Sequence, residues 1–169
     1  MIHLYYGDGK GKTTAACGLA VRAAGSGMKV LFAQFFKSGK SSEISVLSSL
    51  TNVTVKNPSL YSGRYKTMSD EQKKMIGDCY SAFLGEVSAD ADKFDLIVLD
   101  EAVSAYGYGL FDRAELMVFL EKNGKAREIV LTGRAPAREL INIADYATEM
   151  RKEKHPYDNG VSARKGIEF

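Results

Sequence analysis

Eight residues near the start of the chain, Gly7-Asp8-Gly9-Lys10-Gly11-Lys12-Thr13-Thr14, constrain its architecture more than any other segment. They follow a short, largely apolar run, Ile2 to Tyr6, and open a stretch of small and apolar residues, Thr13 to Ala24, that reads as a helix packed tightly on its neighbours. A glycine-rich turn between strand and helix presents backbone N–H groups and a helix N-terminus to phosphate. Glycines serve there because the backbone must approach the anion with no side chain between. Lys12 can then neutralise phosphate charge, and the Thr13 hydroxyl can ligate Mg²⁺. The usual spacing G-x-x-x-x-G-K-[ST] would put Gly at position 6, where this chain carries Tyr6.

The alternation continues along the chain. Further strand-like runs, Lys29 to Phe35, Leu96 to Leu99 and Glu128 to Thr132, are each followed by a turn and a helical stretch. This predicts an α/β protein, a three-layer P-loop nucleotide-binding fold with a mostly parallel central sheet and helices on both faces. A capping box, Ser69-x-x-Gln72, announces a long helix whose apolar residues Met75, Ile76, Cys79, Tyr80, Phe83, Leu84 and Val87 recur at helical spacing. Asp112 with Glu115 marks another helix, stopped by Gly124, and Pro136 suits the first position of a last short helix ending near Ile143. Lys37 to Ser45 and Asn57 to Thr67 read as loops of the kind that carry substrate contacts.

Composition narrows the function classes. The chain has 169 residues, enough for one domain (1–169) that buries roughly 70% of its unfolded surface. A net charge of +2 calls for neither nucleic acid nor a membrane surface as partner. The two cysteines, Cys17 and Cys79, have no metal-ligand spacing and fit a reducing compartment. No apolar run approaches the ~20 residues of a membrane span, and no secretory n-region precedes Ile2, so a cytoplasmic location is expected.

Other residues extend the expected site. Phe94 to Glu101 is a buried strand ending in two acids, Asp100 and Glu101, where a carboxylate at the sheet edge would hold Mg²⁺ directly or through water. Arg134, after Ile129 to Thr132, should emerge on the same edge, and Lys37 could reach phosphate from the neighbouring turn. A surface ion pair for Arg134 and a solvated loop position for Lys37 are equally compatible with spacing alone.

Together these segments resemble the ATP:corrinoid adenosyltransferases. The resemblance rests on GDGKGKTTAA (7–16), AQFFKSG (33–39), VLDEAVSAYGYGLF (98–111), LTGRAPARELINIADYATEM (131–150) and KHPYDNGVSARKGIEF (154–169). It covers nearly the whole chain apart from about 40 to 93, and members of that family also tend to lack the first P-loop glycine. The resemblance implies attack by the Co(I) of a reduced corrinoid on the 5′ carbon of Mg²⁺-ATP, with inorganic triphosphate leaving and ATP lying reversed in the loop. It places Gly7, Asp8, Gly9, Lys10, Gly11, Lys12, Thr13, Thr14, Lys37 and Arg134 at ATP, and Thr13, Asp100 and Glu101 at the metal. Lys12, Asp100 and Glu101 are the expected catalytic residues. An electron donor such as a reduced flavoprotein is implied as a partner, and a homodimer is left open.

The chain departs from the family in lacking Trp, whereas members commonly place a Phe and Trp pair in the corrinoid pocket. Tyr61 and Tyr65 are either the substitutes, as a lid that pushes away the lower axial ligand of Co(II) and eases reduction, or tyrosines of an ordinary surface loop packed down on the sheet. His155, Tyr157 and Asp158 match the family's last motif; contact with ligand and a tail docked on the sheet are both open, and the Pro-containing segment before Gly160 and an apolar end favours the docked tail. Two other functions remain compatible with the phosphate loop, a P-loop nucleoside kinase and a non-catalytic nucleotide-sensing module. The cysteine pairs common in thymidine-type kinases are absent. Triphosphate, diphosphate or no product distinguishes the three.

Overall fold

The computed structural model describes residues 1–37, 41–60 and 65–168, with the side chain of Lys66 excepted. Among these residues six strands form one sheet: β1 (Ile2–Tyr6), β2 (Val30–Gln34), β3 (Val53–Lys56), β4 (Leu96–Asp100), β5 (Glu128–Gly133) and β6 (Tyr146–Glu149), in the order β3-β2-β4-β5-β1-β6. Every pairing is parallel. All strand C-termini therefore lie on one edge, the edge where ligands collect in open α/β sheets. The helices are α1 (Lys12–Gly25), α2 (Ser42–Ser49), α3 (Asp70–Asp90), α4 (Ala102–Gly107), α5 (Arg113–Asn123) and α6 (Arg138–Ile143).

The strands alternate side chains between two cores, as a sheet covered on both faces requires. Leu4, Leu31, Leu99 and Leu131 pack with α3, α4, α5 and α6, whereas Val30, Phe32, Val98 and Val130 face α1 and α2. Helix α1 approaches closely because its contact residues are Ala16, Ala20 and Ala23. The expected three-layer fold is present, and its sheet is parallel throughout. Among the described residues no helix is long and apolar enough to cross a membrane.

Both expected helix starts with capping side chains are present. Ser69 Oγ accepts from the Gln72 N–H at 3.2 Å while the Ser69 N–H donates to Gln72 Oε1 at 2.9 Å, and Asp112 accepts from the Ala114 N–H at 2.8 Å. On α3 the apolar face buries Ile76, Tyr80, Phe83, Leu84 and Val87 but leaves Met75 exposed.

Two local expectations change, and two strands appear that the sequence did not announce. Helix α2 begins at Ser42, so the stretch Lys37 to Ser45 is helical in its second part. Helix α6 begins at Arg138, and Pro136 stands before it rather than at its first position. Strand β3 is only four residues long, and only Val53 of it is buried. Strand β6 exposes all four residues and so carries no burial alternation to read. It is an edge strand held by backbone pairing to β1, supplemented by the ring of His3 stacked on Tyr146 at 4.7 Å.

Candidate functional site

The phosphate loop is built by its fit to the chain that follows β6. Met150 N–H donates to the Tyr6 carbonyl at 2.7 Å, Gly9 N–H donates to the Met150 carbonyl at 2.7 Å, and Lys152 N–H donates to Asp8 Oδ1 at 3.0 Å. That last bond, with the neighbouring cations, holds the Asp8 carboxyl below its ordinary value. Gly7 and Gly11 adopt φ of +112° and +113°, bringing the chain round into α1. Among the described residues no side chain caps α1, so the N–H groups of its first turn are left for a ligand. Lys12 is buried, with Nζ donating to the Gly9 carbonyl at 2.7 Å. Burial lowers its pKa, an effect opposed by the carboxylate of Glu101 and reinforced by the charge of Arg134.

Asp100, at the end of β4, is fully buried and surrounded by donors. Its Oδ1 accepts from Thr13 Oγ1 at 2.9 Å and Thr132 Oγ1 at 2.6 Å. Its Oδ2 accepts from Gln34 Nε2 at 3.0 Å and lies 3.4 Å from Lys37 Nζ. Thr132 in turn accepts the Glu101 N–H at 2.9 Å. Glu101 itself has a left-handed backbone, φ +62°, and its Oε2 accepts from Ser104 Oγ at 2.7 Å. A non-glycine residue in that region is strained, and such strain concentrates at functional positions. Helix α4, which follows Glu101, is tied to α6 by the Tyr106 hydroxyl donating to Glu139 at 2.8 Å; burial and that carboxylate push the Tyr106 phenol up to about 12.

Lys37 also contacts Glu43 Oε1 at 3.3 Å. Burial would lower its pKa, but Asp100 and Glu43 outweigh it and the pKa is raised, so Lys37 stays charged. Lys10, Lys12, Thr13, Lys37, Glu43 and Glu101 line a cleft of about 600 Å³ that Gly166, Ile167 and Glu168 border from the C-terminal end of the chain. Cys17 lies in the same wall, and burial, with the carboxylates of Asp100 and Glu43, pushes its thiol up to about 12.

Arg134 is brought to the same sheet edge but to the other flank of the loop. It borders a second cleft, of about 640 Å³, with Asp8, Lys152, His155, Tyr157 and Asp158. Its backbone N–H donates to Ser104 Oγ at 3.4 Å, and among the described residues no carboxylate pairs with its guanidinium. The docked-tail expectation for His155, Tyr157 and Asp158 is corrected. From 151 to 168 only His155 and Glu168 are even partly buried, and Tyr157 is 64% exposed. The segment forms a short 3₁₀ turn, Pro156–Asn159, with Lys152 paired to Asp158 at 2.9 Å, and stands at the rim of this cleft because it has no apolar face to bury.

Of the two tyrosines expected over a corrin, Tyr61 lies outside the described residues. Tyr65 is stacked on Tyr108 with ring centroids 4.3 Å apart and has Lys73 Nζ 5.8 Å from its ring. Phe36, with φ +53°, meets Tyr80 and Tyr108 edge-on at 5.4 and 6.1 Å, and its N–H donates to the Tyr80 hydroxyl at 2.8 Å. These rings form an aromatic ledge that runs from Tyr65 to the residue preceding Lys37.

Sequence reasoning missed Gln34, Thr132, Glu43 and Ser104. A signal existed for the first two, since each is a polar residue near the C-terminal end of an apolar strand, and β2 and β5 both flank β4. For Glu43 none existed, because α2 was not anticipated. Among the described residues no three His, Cys, Asp or Glu side chains gather as a metal cluster.

The model of the family described as ATP:corrinoid adenosyltransferase BtuR/CobO/CobP matches residues 1–169. A corrinoid adenosyltransferase of Escherichia coli (strain K12) is 28% identical over 180 residues, covering 100% of this chain and 85% of that protein. One from Pseudomonas aeruginosa is 30% identical, covering 98% of this chain and 82% of the relative, and one from a Sinorhizobium species is 31% identical, covering 96% and 77%. Among solved structures, the flagellar accessory protein FlaH from Methanocaldococcus jannaschii superposes with a TM-score of 0.58 at 15% identity, over 88% of this chain and 69% of that one, a likeness of fold alone. With the whole chain matched, from the phosphate loop to the C-terminal motif, this protein belongs to the ATP:corrinoid adenosyltransferase family.

Proposed function

We propose that this single-domain enzyme transfers the 5′-deoxyadenosyl group of Mg²⁺-ATP to the Co(I) of a reduced corrinoid and releases inorganic triphosphate. The electron pair on Co(I) forms the Co–C bond at the 5′ carbon, and the pair of the breaking C–O bond leaves on the triphosphate. The protein's task is therefore to stabilise a leaving polyanion and to align two large substrates. The observation that carries the reading is the convergence on one cleft of Lys12, the start of α1 and Thr13, whose hydroxyl is tied to the buried Asp100.

The donor set fits Mg²⁺. The Thr13 hydroxyl donates its hydrogen bond to Asp100, which leaves its oxygen lone pairs for a hard cation. Thr13, Asp100 and Glu101 would hold the ion, directly or through water, and Mg²⁺ would neutralise part of the triphosphate charge. Two carboxylates suffice, because Mg²⁺ retains waters and takes phosphate oxygens. Gly7 to Thr14 cradle the phosphates, while Lys37 and Arg134 supply positive charge from the two flanks of the loop.

For the corrinoid, the ledge of Tyr65, Tyr108 and Phe36 offers flat apolar surface beside the phosphate cleft, in a chain without Trp. Tyr61 would complete the lid over the corrin. An external reductant, such as a reduced flavoprotein, supplies the electron that takes the corrinoid from Co(II) to Co(I) in the cytoplasm. The test is anoxic incubation with Mg²⁺-ATP and a chemically reduced corrinoid. Loss of the Co(I) absorbance with stoichiometric triphosphate is expected. Diphosphate as product would replace this reading with phosphoryl transfer.

A further inference from the structure

One ammonium of the phosphate cleft, Lys37, is shared by Glu43, which also lines the cleft, and by the buried Asp100. Lys37 Nζ lies 3.4 Å from Asp100 Oδ2 and 3.3 Å from Glu43 Oε1, and among the described residues neither carboxylate has another ionic partner within 4.0 Å. The buried amide of Gln34 reaches the same two oxygens through Nε2, at 3.0 and 3.5 Å. Gln34 is neutral and fixed within β2. Lys37, by contrast, is 27% exposed, beyond the strand's end, on a flexible stem.

The two oxygens of Asp100 are unequal. Oδ1 is taken by the hydroxyls of Thr13 and Thr132. Oδ2 has one fixed neutral donor and one ionic partner that can leave. Among the described residues Lys37 is the one cation in ionic contact with Asp100 and Glu43, so a single ammonium serves two carboxylates, with Lys12 acting on Asp100 only from farther off. A divalent cation would match both. It would also repel an ammonium that remained beside it.

We propose that Lys37 is a displaceable counter-ion of the divalent-cation site. It neutralises the Asp100–Glu43 pair until the cation takes over Asp100, and the freed ammonium then turns to the incoming phosphates. A compact, rotatable ammonium suits this exchange, whereas the planar fork of arginine would grip a carboxylate through two bonds and resist it. Glu43 is a positioning residue in this scheme, keeping Lys37 at the cleft wall. The inference rests on reading the cleft as a triphosphate site.

The exchange is tested without turnover. Mn²⁺, which takes the same oxygen ligands as Mg²⁺, is titrated into the nucleotide-free protein and its free fraction read by electron paramagnetic resonance. Lys37→Met keeps most of the stem and removes the charge, and should bind Mn²⁺ about 10-fold tighter than the unmodified protein. Lys37→Arg should bind it no tighter, and Glu43→Gln should bind it more weakly. Binding of inorganic triphosphate at saturating Mn²⁺, measured by calorimetry, should weaken in Lys37→Met, because the ammonium that the cation frees is no longer there to meet the phosphates. Unchanged or weaker Mn²⁺ binding by a folded Lys37→Met protein overturns the proposal, and Lys37→Gln serves the same comparison should Lys37→Met not fold. Tighter Mn²⁺ binding in a protein that never transfers adenosyl would instead refute the functional reading and leave the counter-ion role standing.

Discussion

The three glycines of the phosphate loop separate two physical demands, and alanine substitutions at each should cost different amounts. At Gly9 the backbone lies outside the left-handed region, so only space is at issue. An added Cβ would stand 2.6 Å from the Met150 carbonyl oxygen and 2.9 Å from the carbonyl carbon and oxygen of Arg151. All three are backbone atoms, so the chain after β6 must move, and the 2.7 Å hydrogen bond from Gly9 N–H to Met150 goes with it. Overpacking of this kind costs about 1–3 kcal/mol and the hydrogen bond about 1 kcal/mol, giving about 2–4 kcal/mol. At Gly11 a Cβ would meet only the Met150 Sδ, at 3.6 Å, so the cost is confined to an alanine at φ +113°, about 1–3 kcal/mol. Gly7 combines both penalties, with φ +112° and the Met150 oxygen at 2.4 Å, and its substitution should be the most damaging. Equilibrium urea unfolding measures all three, read as midpoint shifts at constant slope. Because the Gly9 clash falls on the tail, Gly9→Ala should also speed tryptic cleavage at Arg151 and Lys152 relative to Gly11→Ala. A Gly9→Ala protein within about 0.5 kcal/mol of the unmodified chain would refute the contact argument. So would Gly11→Ala proving costlier than Gly7→Ala.

Lys12→Ala should cost at least ~10²-fold in kcat/KM, the scale of one preorganised charge donor; near-normal turnover by a folded variant would move the phosphate site elsewhere. Thr132→Val removes the hydroxyl that bonds both Asp100 and the Glu101 N–H, and should destabilise by about 2–4 kcal/mol, checked by the urea midpoint. With its thiol pushed up to about 12, Cys17 should resist iodoacetamide at pH 8, as read by peptide mass spectrometry. Since unfolded Cys17 ionises near its ordinary 9.0 and the folded form does not, its contribution to stability is present below pH 9 and lost as pH rises from 9 towards 12. Labelling of Cys17 at a free-thiol rate in the folded protein would contradict the burial. Tyr65→Ala should slow adenosylation from Co(II) plus reductant several-fold more than from pre-reduced Co(I), because only the first route needs the lower ligand displaced; an equal fall by both routes would reduce Tyr65 to a binding role.

Local physics made much of this protein legible in its sequence. The loop Gly7 to Thr14 is readable because glycine, lysine and threonine at that spacing between a strand and a helix have few other uses. The strands of the sheet's interior are readable because burial on both faces demands apolar runs, and Ser69 to Gln72 because a capping box is a contact between near neighbours. Strands β3 and β6 were not legible: one is four residues long, and the other is exposed at all four positions and held through backbone pairing to β1, which has no residue code. The tail motif was visible as a motif, but its place at the rim of a cleft depends on Met150 docking against Tyr6 and Gly9, across more than 140 residues of chain. The same distance in sequence hid the environment of Asp100. Its acid was legible at the end of β4, whereas Thr13, Gln34, Lys37 and Thr132 reach it from the loop and from two other strands. Only the order of strands in a parallel sheet brings those donors to one carboxylate, and strand order is set by tertiary packing rather than by any local pattern.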